Sequence, residues 1–339
     1  MLLTAATLFG QTASLRDLAD RSGIRIGTAV AANALKNESP YSQTLAREFS
    51  QVEPENAAKF GSIHPGQETW NFDPVDALVS FAGEHHMAVR GHTLVWHNQI
   101  AAWVTGGNFT PVRLAGILHD HIRTVVGRYA GRIYAWDVVN EAFNQDGTLR
   151  KTIWFDTPGI GLEGTAYIEQ AFRWAHEADP NALLFYNDYG AEGINAKSDA
   201  IYAMARDFKS RGVPIDGIGL QMHLTANPPS VASMEANIRR ITGLGLQVQY
   251  TELDVRLPVE SGRANDDWLT TQARIYGDLV GLCLKFKLCT AIQTWGFTDA
   301  HSWIPAQYPG LGAGLEFDAQ YQPKPAYRAM ASALAAGRQ

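Results

Sequence analysis

An alternation that runs the length of the chain constrains its fold more than any single residue. Short apolar, β-branched runs are each followed by a longer stretch whose apolar residues recur at three-and-four spacing, the pattern of repeated βα units. The candidate strands are Arg25–Val30, Ser50–Pro54, Ala88–Thr93, Ile133–Val139, Leu183–Asn187, Gly217–Met222, Gln247–Thr251 and Thr290–Trp295. Helix signals punctuate the stretches between them. Thr110 and Pro111 supply an N-cap and a first-turn proline ahead of the stripe Leu114, Ile117, Leu118, Ile122, Val125 and Val126. Asn195 opens a run that stops at Gly212 and Pro214, and Ser14 with Asp17 frames a short helix before the first strand. Eight such units predict an α/β chain folded as a single-domain (β/α)8 TIM barrel over residues 14–337, after an extension over residues 1–13. A doubly wound open sheet is the alternative topology.

Charge and composition narrow the function. The 28 Lys and Arg are outnumbered by 34 Asp and Glu, giving a net charge of −6 with no basic run, so a nucleic-acid partner is not expected. The N-terminal apolar stretch Met1–Gly10 is far short of the roughly 18 residues that span a bilayer, so no membrane partner is expected either. Cys283 and Cys289 are close enough to bridge if the chain turns between them; two buried thiols are the other reading.

In a barrel of this kind, chemistry belongs at the C-terminal ends of the strands. Those positions are polar here: Glu55, Asn56 and Lys59; His92, Trp96 and His97; Asn140 and Glu141; Asn187, Asp188 and Tyr189; Gln221 and His223; Glu252 and Asp254; and Trp295. Glu141 and Glu252 end strands four and seven and can converge across the barrel mouth. Paired carboxylates suit glycosidic cleavage, one protonating the leaving oxygen while the other attacks the anomeric carbon or activates water. His223 and Asp254 can orient Glu252, and Asn140 can donate to a sugar 2-hydroxyl. Trp96, Trp295, Trp303 and Tyr189 offer flat faces for pyranose rings. The pair His119 and His121 lies inside a helix, away from any strand end, so no metal site is expected. No GxSxG elbow, glycine-rich phosphate loop or redox CxxC is present.

Seven motifs in order, ENAAKF from Glu55, GHTLVWH from Gly91, WDVVNEAFN from Trp136, YNDYGAEGINAK from Tyr186, GIGLQMHL from Gly217, TELD from Thr251 and TWGFTDAHSW from Thr294, resemble the glycoside hydrolase family 10 xylanases. The resemblance implies a retaining endo-β-1,4-xylanase without cofactor, with Glu252 as nucleophile and Glu141 as acid/base. It places His223 and Asp254 against the nucleophile and Asn140 on the 2-hydroxyl. Glu55, Asn56, Lys59, His92, Trp96, Gln99, Gln221, Trp295 and Trp303 would line the glycone side, with Asn187 and Tyr189 near the aglycone side. Xylan and xylo-oligosaccharides are the implied partners of a monomer. The same resemblance implies a Cys283–Cys289 disulfide and hence a secreted or periplasmic location, a cytoplasmic one being the alternative. Ala58, Phe60 and Gly190 depart from the family's usual methionine, tryptophan and asparagine, and these changes are expected to touch substrate subsites. The rival activities are a β-1,4-glucanase, or a mixed xylanase and glucanase, on the same pair of acids, and a non-catalytic sugar-binding barrel.

Overall fold

The computed structural model describes residues 13–338; residues 1–12, and with them nearly all of the expected N-terminal extension, lie outside the described residues. Eight strands form the core: β1 (Arg25–Val30), β2 (Gln51–Pro54), β3 (Ala88–Val95), β4 (Ala135–Asn140), β5 (Leu183–Asp188), β6 (Gly217–Leu220), β7 (Gln247–Pro258) and β8 (Cys289–Thr294). Each is parallel to the next, and β8 pairs back with β1, Arg25 opposite Ala291 and Thr28 opposite Thr294. The sheet therefore closes, as a TIM barrel does, and the open-sheet alternative falls. Around it run α1 (Ser39–Glu48), α2 (Asp73–Glu84), α3 (Pro111–Arg128), α4 (Ala166–Ala178), α5 (Ala196–Ser210), α6 (Val231–Gly243), α7 (Asp266–Leu284) and α8 (Pro325–Ala336).

Local chemistry accounts for where these helices start. Ser14 and Asp17 form a capping box on the short helix Leu15–Arg21, and Asn195 forms another with Ser198 at the start of α5. The Thr110 side chain accepts from the Arg113 amide ahead of α3, whose stripe from Leu114 to Val126 is buried against the barrel. The turn between α7 and β8 brings Cys283 and Cys289 to a Cα separation of 5.4 Å, and they are joined as a disulfide.

Most strand boundaries differ from the sequence reading by one or two residues, and the differences at strands six and seven shape the site. Strand six ends at Leu220 instead of Met222, because Met222 adopts a left-handed conformation (φ 63°) and breaks the extended run. The chain then resumes as His223–Thr225, which pairs with Asp254–Arg256. Strand seven does not stop at Thr251 but continues to Pro258, since Leu253, Val255 and Leu257 are all buried and sustain the alternation. These two changes bring His223 alongside Asp254.

At the strand preceding the site, one glycine is required by space. A Cβ on Gly91 would lie 2.2 Å from the Trp136 ring, which is itself fully buried. Gly91→Ala is therefore expected to destabilise the fold by about 2 kcal/mol through overpacking. Urea denaturation should show a lower midpoint at unchanged slope; an unchanged midpoint would mean that the strand and ring can part without cost.

Candidate active site

The loops at the C-terminal ends of the strands enclose a cavity of about 660 Å³. Glu141 enters it directly from the end of β4. Its backbone is left-handed (φ 58°), which turns the side chain out of the strand line. The carboxylate accepts from Trp96 Nε1 at 2.8 Å and from Gln221 Nε2 at 3.0 Å. Glu252 comes from β7 and is nearly sealed, at 4% exposure. Asn187 Nδ2 donates to its Oε1 at 2.7 Å, and His223 Nε2 lies 3.0 Å from its Oε2.

His223 bridges two acids. Its Nδ1 lies 2.9 Å from Asp254 Oδ2, so both ring nitrogens face carboxylate oxygens, an arrangement that only the doubly protonated ring can satisfy. Burial opposes that charge, but Asp254 first and Glu252 second outweigh it and hold the imidazole well above its ordinary range. For Glu252 burial pushes upward, while donation from His223 and the proximity of His92 and His223 bring the carboxyl below its usual value. Glu252 is thus held ionised although buried. Asp254 also accepts from Trp303 Nε1 at 2.7 Å, which ties that ring to the same network.

The remaining expected residues gather as follows. Glu55, Asn56, Lys59, His92, Trp96, Gln99, Asn140, Tyr189, Gln221, His223, Trp295 and Trp303 all line the cavity with the two glutamates. Lys59 donates to Asn56 Oδ1 at 2.8 Å and lies 5.0 Å and 5.5 Å from the rings of Trp96 and Trp295. Burial pushes its ammonium below the ordinary lysine range, offset in part by Glu252 and Glu55, and burial likewise raises the Glu55 carboxyl. Asn140 joins the amides of Asn187, 3.0 Å away, and Gln221, 3.1 Å away.

Three expectations need correction. Asn187 does not reach the cavity: it is fully buried, and its amide is spent on Glu252, Asn140 and Thr251. Asp254 does not touch Glu252 but acts on it through His223. Ala58 and Phe60 face away from the substrate side. Ala58 is fully buried and Phe60 nearly so, its ring stacked 4.0 Å from His121 in a cluster with His64, Trp103 and Trp154. His121 is thus a packing element, and His119 lies against Trp174. Gly190 is left-handed (φ 68°), and a Cβ there would meet Gln145 at 2.6 Å, so an asparagine would displace that side chain.

Sequence reading missed Asn98, Arg256, Gln307 and Tyr308, which also line the cavity. Arg256 was legible in principle, since it shares the strand parity of Glu252 and Asp254. Gln307 ends a short helix after Trp303 and Tyr308 caps it, a segment that carries no strand-end signal. Among the described residues, no group of three or more His, Cys, Asp or Glu side chains is arranged to hold a metal ion.

Comparison with known proteins places this geometry among relatives. The profile of "Glycosyl hydrolase family 10" matches residues 14–333. Endo-1,4-beta-xylanase B of Thermotoga neapolitana is 44% identical, over 97% of this chain and 94% of its own. Endo-1,4-beta-xylanase 1 of Humicola insolens is 37% identical, over 98% of this chain and 78% of its own. Among solved structures, xylanase 10B from Thermotoga petrophila in complex with xylobiose superposes with a TM-score of 0.91 at 44% identity, covering 96% of this chain and 98% of that one. The xylanase from Bispora sp. MEY-1 with xylobiose gives 0.88 at 32% identity, covering 94% and 99%.

The raised pKa of His223 has a definite sign for stability. A group whose pKa rises on folding contributes fully below its unfolded value, about 6.5 for histidine, and the contribution is lost as pH climbs through the folded value. The stability difference between the unaltered chain and His223→Gln, measured by urea denaturation, should be greatest at about pH 6 and shrink as the solution becomes alkaline. A difference that grew with pH would show that His223 is neutral in the fold.

Proposed function

This chain belongs to glycosyl hydrolase family 10, and from that premise we infer that it is an endo-1,4-β-xylanase, cleaving internal bonds of xylan with retention of configuration. The observation that carries the assignment of roles is the contrast between two carboxylates facing one cavity. Glu252 is buried, ionised and held at both oxygens, one by Asn187 and one by His223. Such a group is a nucleophile with a fixed line of approach. Glu141 lines the same cavity, its oxygens held by the neutral donors Trp96 and Gln221, while the His97 imidazole, which burial pushes below its ordinary range, lies 3.8 Å from one of them. It is the general acid and base.

In the first step a carboxylate oxygen of Glu252 attacks the anomeric carbon while Glu141 gives its proton to the leaving oxygen. The glycosyl-enzyme bond forms as the glycosidic bond breaks. In the second step Glu141 takes a proton from water, whose oxygen displaces Glu252 and restores the original anomeric configuration. Asn140, adjacent to Glu141 and lining the cavity, serves the 2-hydroxyl of the sugar under attack, a bond that strengthens as positive charge develops. Trp96, Trp295 and Trp303 offer their faces to xylose rings, while Glu55, Asn56, Lys59 and Gln221 take their hydroxyls. The ligands of the xylobiose complexes support xylo-oligosaccharides as the occupants of this cavity. The disulfide supports work in an oxidising compartment, outside the cytoplasm.

Glu252→Ala should abolish release of reducing ends from xylan, and Glu141→Ala should lower it by about 10²–10⁴-fold. Proton NMR of the unaltered reaction should show the β-anomer of the new reducing sugar first. An α-anomer first, or hydrolysis that survives Glu252→Ala, would overturn the mechanism, and equal rates on soluble β-1,4-glucan would overturn the substrate assignment.

A further inference from the structure

One cation in the cavity has no work in cleaving a neutral chain. Arg256 follows Asp254 on the same face of β7 and lines the cavity beside Trp303 and Tyr308. Its guanidinium lies 4.6 Å above the Tyr308 ring, which in turn meets Trp303 edge-on at 5.6 Å. The only hydrogen bond it makes among the described residues is a long one, 3.4 Å from Nη1 to the His223 carbonyl. No carboxylate of the described residues lies within 4.0 Å of it. The lining lysine, Lys59, is committed by contrast: it is bonded to Asn56 and sits beside Glu252 and Glu55, and the His223 imidazole is spent on Glu252 and Asp254.

The guanidinium is thus held in place by stacking while most of its N–H groups are unspent, a pre-organised fork whose geometry matches a carboxylate with two parallel bonds. Xylose rings carry hydroxyls only, which the amides and carboxylates of the cavity already serve. Uronic acid branches on the polymer do carry a carboxylate. We propose that Arg256, with Tyr308 as its support, is a recognition site for the carboxylate of a uronic acid branch on the xylan chain, on the Trp303 side of the cleaved bond. The inference rests on the xylanase reading above and adds to it a preference for acidic, branched substrate. The chain's net charge of −6 would otherwise disfavour such a polymer, so a local cation at the point of contact is what admits it.

The test compares kcat/KM on three materials: unbranched xylohexaose, a xylan carrying glucuronic acid branches, and the same xylan after its carboxyl groups are reduced to alcohols. For the unaltered chain the acidic form should be cleaved faster than its reduced counterpart, and added salt should narrow the gap. Arg256→Gln should cut the acidic-to-reduced ratio by about tenfold, the scale of a hydrogen bond to a charged group, and Arg256→Lys should retain part of it. An unaltered ratio in Arg256→Gln, or equal losses on both forms, would overturn the proposal and leave Arg256 as a packing partner of Tyr308. An unaltered chain inactive on xylohexaose would instead overturn the xylanase reading itself, so the two failures are distinct.

Discussion

A guanidinium sealed inside the barrel sets the electrostatic frame on which the site is built. Arg90 on β3 is fully buried, and a charge in that position is tolerated only with close partners. Asp137 on β4 pairs with it, Gln249 on β7 accepts from it at 2.7 Å, and the Phe185 ring lies 4.4 Å away. Burial pushes the nearby Glu53 carboxyl well above the usual carboxylate range, Asp137 adds to that push, and Arg90 only partly opposes it. Glu53 Oε2 also lies 3.6 Å from Arg90 Nε, so this one cation faces two buried carboxyl groups. The other oxygen of Asp137 takes His92 Nδ1 at 3.0 Å, and that nitrogen is 4.0 Å from Glu252. A continuous chain therefore runs from the barrel interior to the nucleophile. Breaking the buried pair from one side would leave a charge unpartnered, at a cost of about 3–5 kcal/mol, so the residues behind the site are as constrained as those in it.

The two glutamates owe their different roles to what lies behind each. Glu252 is backed by a positive imidazole that Asp254 keeps charged, whereas Glu141 is backed by peptide groups. The Glu141 amide donates to the Asn187 carbonyl at 2.9 Å, and its own carbonyl accepts from Arg150 Nε at 3.0 Å. The next amide, that of Ala142, donates to the Tyr186 hydroxyl, which donates in turn to Asp188 at 2.5 Å. Burial drives Asp188 up to about 7 even though Lys197 lies 2.6 Å away. These bonds fix the peptide that carries the acid without placing a cation on its carboxyl. Positioning and charge are supplied by separate groups, which lets one acid be rigid and still exchange a proton.

How much of this was legible in the sequence follows from what a linear pattern encodes. The barrel was legible because strand and helix periods differ and each unit repeats the contrast, and the helix caps at Ser14, Thr110 and Asn195 were legible because capping is local. The paired acids were legible because a carboxylate at the end of an apolar strand has few bland explanations. The direction in which a strand-end side chain points was not. Asn187 and Tyr189 are near neighbours in one motif, yet the first lies beneath the carboxylates and the second on the cavity wall. Ala58 and Phe60 sit in a motif that supplies Glu55, Asn56 and Lys59 to the cavity, but both are buried, Phe60 in the aromatic packing around His121. Met222 reads as strand in the sequence because nothing in its side chain announces a left-handed backbone.

That last omission points to how the rim holds its shape. Gln99, Glu141 and Met222 all adopt left-handed backbones without being glycine, a conformation costing of order 1–2 kcal/mol per residue. All three stand where a strand gives way to the site. Each is fastened by its backbone to something rigid. The Gln99 carbonyl accepts from the Gly61 amide at 2.7 Å, so close that a Cβ on Gly61 would lie 2.7 Å from the same oxygen. The Met222 carbonyl accepts from Asp254, and its amide donates to the buried Glu192. Regular strands alone would send successive side chains alternately into the barrel and into the helices, and few would point along its axis into the mouth. A left-handed residue at the strand end turns the chain through the angle that alternation forbids. The closed sheet and its buried ion pair supply the stability that tolerates three such turns, and the two carboxylates with their donors line one cavity as a consequence.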